Sequence, residues 1–415
     1  MTRSTSLGSG RYLDTSDRPE YSHTTVHELT TADNARVHGV LTTIPGSTTV
    51  VTLMHPRADV THHGMVNELL TSGVSVWTQH TRSPNNDLNL DHEQALLDVA
   101  AGMTFLRDAG FESVVTLGHS GGGTLYAYYA EQAGLPSERR FRTSPSGRPS
   151  RLGEADLPPA DGTIFLAPHP GQGRLLLGCI DPSVGDEADP MSVIEALNAY
   201  SPRNGFAEPP NSSQYSEEFV ELYRQAQYAR VERLDTLARE SIEATRTARA
   251  QFDTTGDMNY RRRSLAPHIM VVYRTDADLR TVDLHIDPNE RPYGSVFGRR
   301  PDLINYGQVG FGRITTPEAW LSTWSGISSR ADFVRCAAGV EVPTLFIELT
   351  GDQAAFPSDT RRMVGALAAR DKTHVAVRGT HFGGPIAPGE PTGYSLAGEQ
   401  IQQWLAARFP VVGIK

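Results

Sequence analysis

The pentapeptide Gly118-His119-Ser120-Gly121-Gly122 constrains this chain more than any other feature. It follows the aliphatic and β-branched run Val114-Val115-Thr116-Leu117 directly and precedes a helical pattern over 124–133. A strand that turns into a helix through a single residue forces that residue into a strained backbone, so the positions two away on either side must be small. Gly118 and Gly122 meet that demand. The Ser120 hydroxyl then projects above a sheet, and the N–H of Gly121 opens a helix whose positive end can face developing negative charge.

The rest of the chain supplies the context that such a turn needs. Short strands are predicted at 50–54, 74–77, 114–117, 163–167, 344–347 and 374–377, separated by helical patterns at 66–70, 93–109, 124–133, 360–369 and 397–409. Strands alternating with helices of this length imply right-handed crossovers and a parallel sheet. The alternation breaks after Pro168-His169-Pro170. Residues 173–337 carry acidic and proline-rich loops, a long polar helix from about 216 to 250 with Phe219, Leu222, Ala226 and Ala229 as an apolar stripe, and a hairpin expected in 269–284 turning near Asp276-Ala277-Asp278. A chain of 415 residues is two or three domains or one large core with an insertion. Setting 173–337 aside leaves roughly 250 residues, enough for one α/β core. The expected organisation is an N-terminal arm over 1–25, which is loose or packs on a second subunit of a homodimer, a core over 26–172 and 338–415, and an insertion over 173–337.

Charge and cysteine content exclude several functions. Lys and Arg number 38 against 48 Asp and Glu, a net charge of −10, so a phosphate backbone is repelled on average and nucleic acid is not an expected partner. Cys179 and Cys336 form no CxxC, which suggests neither a disulfide framework nor a zinc ribbon, although a single bridge between them stays open. No 18-residue apolar run and no apolar leader occur, so the expectation is a cytoplasmic protein with no membrane partner. No GxGxxG follows an early strand, so no nucleotide cofactor is expected, and no HExxH or comparable spacing suggests a metal. The His62-His63 pair and His92 read as solvated or insertion-contacting histidines.

A serine hydroxyl is a poor nucleophile near neutral pH, so a histidine base and a carboxylate to orient it should follow. Gly351-Asp352 ends the strand that begins at Thr344, and Gly379-Thr380-His381-Phe382-Gly383 comes just past the strand at 374–377, both at the carboxyl edge of a parallel sheet. With the order Ser120, Asp352, His381, the chain resembles the α/β-hydrolase superfamily over roughly 26–172 and 338–415. The resemblance implies an α/β core with a large, mainly helical cap at 173–337. It implies a cofactor-independent serine hydrolase that acts on a carboxylic ester of a small, largely apolar or aromatic molecule through an acyl-enzyme. Amidase, thioesterase and C–C hydrolase chemistry on the same triad, or a non-catalytic ligand-binding role, are the alternatives. Asp359 and Asp181 are rival acids, Asp359 reading better as a helix cap. By the same resemblance the oxyanion hole would combine the Gly121 N–H with a donor after the strand at 50–54. His55-Pro56-Arg57 places that donor at Arg57, because proline has no N–H. The Arg57 side chain is either a solvated charge or a partner for a substrate carboxylate or carbonyl. Candidates for contact with a small-molecule substrate are His55, His119, Trp320 and Trp324, with packing as the competing role for His119 and the tryptophans.

Overall fold

The computed structural model describes residues 17–413. Two alternating segments open it, β1 (His23–Thr30) and β2 (Arg36–Thr43), whose burial alternates along the chain as expected of antiparallel strands with one solvated face. Then come β3 (Thr49–His55), α1 (Met65–Thr71), β4 (Ser75–His80), α2 (His92–Asp108), β5 (Ser113–His119), α3 (Gly121–Ala133) and β6 (Gly162–Leu166). The chain leaves the sheet for α4 (Gln172–Cys179), α5 (Glu217–Thr255) and a short antiparallel pair, β7 (Met270–Val271) with β8 (Ile314–Thr315). It returns as β9 (Thr344–Gly351) and β10 (Lys372–Thr380), and helix Gly393–Ala406 closes it.

Among the described residues the large sheet has eight strands in the order β1-β2-β4-β3-β5-β6-β9-β10. β1 and β2 are antiparallel to their neighbours and the rest are parallel. The core strands β3, β5 and β6 are buried almost throughout because both faces are covered. Leu96, Met103, Tyr128, Phe165 and Phe346 fill one face, and Val51, Leu69, Leu117, Ile347 and Ile401 fill the other. This is the α/β-hydrolase fold, with β5 central and its neighbours β3 and β6 ending beside it.

Several expectations need correcting. Residues 1–16 of the expected arm lie outside the described residues, and its end at residue 25 is displaced because β1 starts at His23. Arg18 already donates to Asn67 Oδ1 and Thr61 O. The hairpin in 269–284 does not form. Only Met270–Val271 is a strand, and it pairs with Ile314–Thr315. The supposed turn residues are buried instead: Asp276 accepts from the Ser295 hydroxyl, while Asp278 is held between Arg224 and Arg280, which keep its carboxyl far below the usual range despite burial. Cys179 and Cys336 are free and buried.

Helix α5 is capped by the Ser216 hydroxyl and ends at left-handed Gly256. Its buried face is rotated from the expected stripe: Leu222 is exposed, and Tyr223, Gln227, Arg230, Val231, Leu234, Asp235, Ala238 and Ile242 are buried. The polar members are satisfied. Gln227 donates to the carbonyls of Gly178 and Ile180, Arg230 meets Glu187 and the carbonyls of Asp181 and Tyr273, and Asp235 accepts from Trp320 and Ser328. Buried polar groups of this kind are tolerated because each finds a partner.

Candidate active site

Every group of the site sits at the carboxyl edge of the sheet. Ser120 joins β5 to α3 with φ 56° and ψ −124°, a conformation that costs about 1–3 kcal/mol for a side-chain-bearing residue and persists only where surroundings enforce it. The enforcement is steric. A Cβ on Gly118 would lie 2.5 Å from the Gly122 carbonyl oxygen, and one on Gly122 would lie 2.4 Å from the Met54 carbonyl oxygen. The Ser120 N–H is anchored on Leu166 O at 3.1 Å, tying the turn to the end of β6.

The loops after β9 and β10 bring the other two groups to the hydroxyl. His381 Nε2 lies 3.0 Å from Ser120 Oγ, and His381 Nδ1 lies 2.9 Å from each carboxylate oxygen of Asp352. Asp352 is buried and also accepts from the N–H groups of Ala354 and Ala355. A proton on Nδ1 shared with the carboxylate leaves the Nε2 lone pair facing the hydroxyl. The rival acids are elsewhere. Asp359 pairs with Arg280 and Arg362, and Asp181 accepts from Ser183 N and the Asn305 amide.

His119 lies under His381 rather than in front of it. Its Nδ1 is 2.9 Å from His63 Nε2, and its Nε2 is 2.9 Å from the His381 carbonyl oxygen. With both ring nitrogens engaged and the ring buried, His119 packs against His381, the competing role expected for it, and presents no unengaged ring nitrogen to a substrate. His63 and His92 are likewise buried rather than solvated, and burial pushes both down to about 4. His92 packs α2 against the insertion through Thr323 Oγ1 at 2.9 Å.

The expected Arg57 donor is also corrected. Its N–H is directed at His55 Nδ1, 3.1 Å away, with the Ala58 N–H on the same atom at 2.9 Å. The Arg57 guanidinium grips both oxygens of Asp87 through Nε and Nη2 and stands over the rings of Phe311 and Trp324. Gly121 N–H, first in α3, has no acceptor within the helix.

Trp320 and Trp324 are fully buried. Trp320 Nε1 donates to Asp235 Oδ1 at 2.7 Å, locking it against α5, while Trp324 lies beneath Arg57. Sequence reasoning missed His169 and Gln172, which border Gly121. Their signal was available, because Pro168-His169-Pro170 follows β6, the strand next to β5. Among the described residues no set of three or more His, Cys, Asp or Glu is placed to hold a metal ion, and no helix is long and apolar enough to cross a membrane.

No family model matches the chain, and no curated protein matches it. Solved structures do resemble it in shape. DcsB, solved in complex with its substrate analogue, is 11% identical at a TM-score of 0.48, covering 93% of this chain and 100% of that one. A hypothetical protein from Pseudomonas aeruginosa is 9% identical at 0.46, covering 95% and 96%. The Pyrococcus furiosus esterase Pf2001 is 10% identical at 0.42, covering 94% and 91%. At such scores and identities the likeness assigns neither activity nor substrate to this chain.

Proposed function

We propose that the protein is a serine hydrolase that cleaves a carboxylic ester through an acyl-enzyme on Ser120. The observation that carries this reading is the unbroken relay from Asp352 through His381 to Ser120 Oγ, with hydrogen bonds of 2.9 and 3.0 Å, on a hydroxyl held in a strained turn. In this reading His381 Nε2 takes the Ser120 proton as Oγ attacks the ester carbonyl. Asp352 stabilises the imidazolium so formed, and the imidazolium returns the proton to the departing alkoxide. Water then repeats the sequence on the acyl-enzyme, and His381 passes its proton back to Ser120. The Gly121 N–H faces the developing oxyanion at the positive end of α3.

The insertion over 173–337 serves as a cap that selects substrates, and the packing of Trp324 beneath Arg57 ties it to the rim of the site. Small, largely apolar or aromatic esters are the proposed class. The test is a panel of p-nitrophenyl esters of graded acyl length beside aryl amides, aryl thioesters and β-diketones. Turnover highest on short esters and abolished by Ser120→Ala is the expected result. A preference for the amide, thioester or diketone by more than about tenfold in kcat/KM would move the reaction class on the same triad.

A further inference from the structure

With proline at position 56 and the Arg57 N–H turned toward His55, the oxyanion hole has one backbone donor, Gly121, where two are usual for this chemistry. Three side-chain nitrogens converge beside Gly121. A Cβ on Gly121 would lie 3.0 Å from His55 Nε2, 3.1 Å from His169 Nε2 and 3.0 Å from Gln172 Nε2. His55 ends β3 and His169 follows β6, and these two strands flank the nucleophile strand β5. The two rings therefore reach Gly121 from the two strands that neighbour β5.

Their protonation is set by the backbone. Nδ1 of His55 accepts from the N–H groups of Arg57 and Ala58, and Nδ1 of His169 accepts from the N–H of Gly171 at 3.1 Å. A nitrogen that accepts cannot carry a proton, so each neutral ring must hold its proton on Nε2, the atom facing Gly121. Burial keeps both rings neutral, pushing His169 down to about 3 and His55 well below its ordinary value. Gln172 borders the same point: its side chain hydrogen-bonds the His169 ring and positions it, and its Oε1 is buried without a hydrogen-bond partner among the described residues. Loop contacts hold the arrangement, since Thr124 donates to His169 O and the His169 N–H approaches Ser120 O.

We infer that the Nε2–H groups of His55 and His169, with the Gly121 N–H, form a side-chain oxyanion hole that binds the acyl carbonyl oxygen from both flanks of the nucleophile. The inference rests on the serine-hydrolase reading above. Neutral donors suit this task because they interact modestly with an uncharged carbonyl and more strongly with the oxyanion, and only that difference lowers the barrier. With Arg57 already paired to Asp87, the donor set carries no net charge, which favours uncharged esters over substrates presenting a free carboxylate.

The decisive variants are His55→Asn and His169→Asn. An Asn carbonyl can replace the Nδ1 acceptor that fixes each loop, but its side chain is too short to place a donor at Nε2. Each is expected to lower kcat on a p-nitrophenyl ester by about 10²-fold with KM changed little, the pattern of an interaction made only in the transition state. Each should slow phosphonylation of Ser120 by a fluorophosphonate in parallel, while the melting temperature stays near the parent's. His55→Gln, which restores an N–H near Nε2, should recover part of the rate. If the Asn variants fail to fold, the parent answers the question: proton resonances of the two Nε2–H groups in histidine-labelled protein should move downfield when phenylboronic acid forms its tetrahedral adduct on Ser120. A parent that is phosphonylated at Ser120 while the Asn variants keep kcat within about twofold overturns the side-chain hole and leaves the hydrolase reading standing; so do resonances unmoved by the boronate. A folded parent that is neither phosphonylated nor active on esters removes both.

Discussion

At the residue scale, the site separates what a local pattern can announce from what it cannot. Ser120 and its glycines were legible because the constraint is local: the strand-to-helix turn excludes any Cβ at 118 or 122. Asp352 and His381 were legible from chain order and strand ends. The Arg57 donor was not, because the direction of a backbone N–H depends on a ring two residues away, and His55 Nδ1 captures it. Ser120→Ala should lower kcat/KM by about 10³-fold or more and leave the melting temperature near the parent's, since it deletes one hydroxyl from a turn enforced by its neighbours. Asp352→Asn should cost comparable activity by disrupting the His381 tautomer. Asp359→Asn should leave kcat nearly unchanged and lower the melting temperature, because that carboxylate binds Arg280 and Arg362 and not the base. Activity and melting curves on the same preparations check all three, and the reverse ranking of the two Asn variants would misassign the acid.

At the scale of elements, β1, β2 and α5 show where hydropathy stops being informative. The first two strands alternate residues such as Val26 and Glu28 on one solvated edge, too weak a pattern to mark them. The α5 face was misread because its buried stripe includes Gln227, Arg230 and Asp235, whose burial is licensed by partners distant in sequence. Trp320 belongs to this interface, its indole nitrogen donating to Asp235. Trp320→Phe should therefore cost about 1–3 kcal/mol by leaving the Asp235 carboxylate short of a donor, and Trp320→Ala about 3–5 kcal/mol by opening a cavity. Chemical denaturation measures both. If Trp320 is solely part of the packing, relative kcat/KM across the ester panel stays as in the parent; a reordered panel would make it a substrate contact.

At the scale of the whole molecule, the two-faced sheet and the presence of a large, partly helical insert were readable from the alternation of elements and its interruption after β6. The charged and polar contacts joining insertion to core were not. One of them couples global stability to pH. Glu93, at the start of α2, is fully buried and accepts from the hydroxyls of Tyr128 and Ser322, the latter from the insertion. Burial, with Asp91 nearby, raises its carboxyl from about 4.5 to about 7. The folded state thus keeps this proton when the unfolded state has lost it. The contribution of Glu93 is fully present below about pH 4.5, declines as pH rises to about 7, and is level above that. Glu93→Gln should remove this decline, gaining stability relative to the parent at pH 8 compared with pH 4.5, as read from denaturant midpoints. A parent-minus-variant difference independent of pH would contradict a raised carboxyl.

The activity of the whole assembly reduces to whether Ser120 is a nucleophile in the folded protein. The most direct measurement is exposure of the native protein to a fluorophosphonate followed by mass mapping of the modified peptide. The account predicts a single stoichiometric adduct on Ser120, absent from Ser120→Ala and formed far more slowly in His381→Ala. A protein with a cooperative melting transition that acquires no adduct at Ser120 would contradict it.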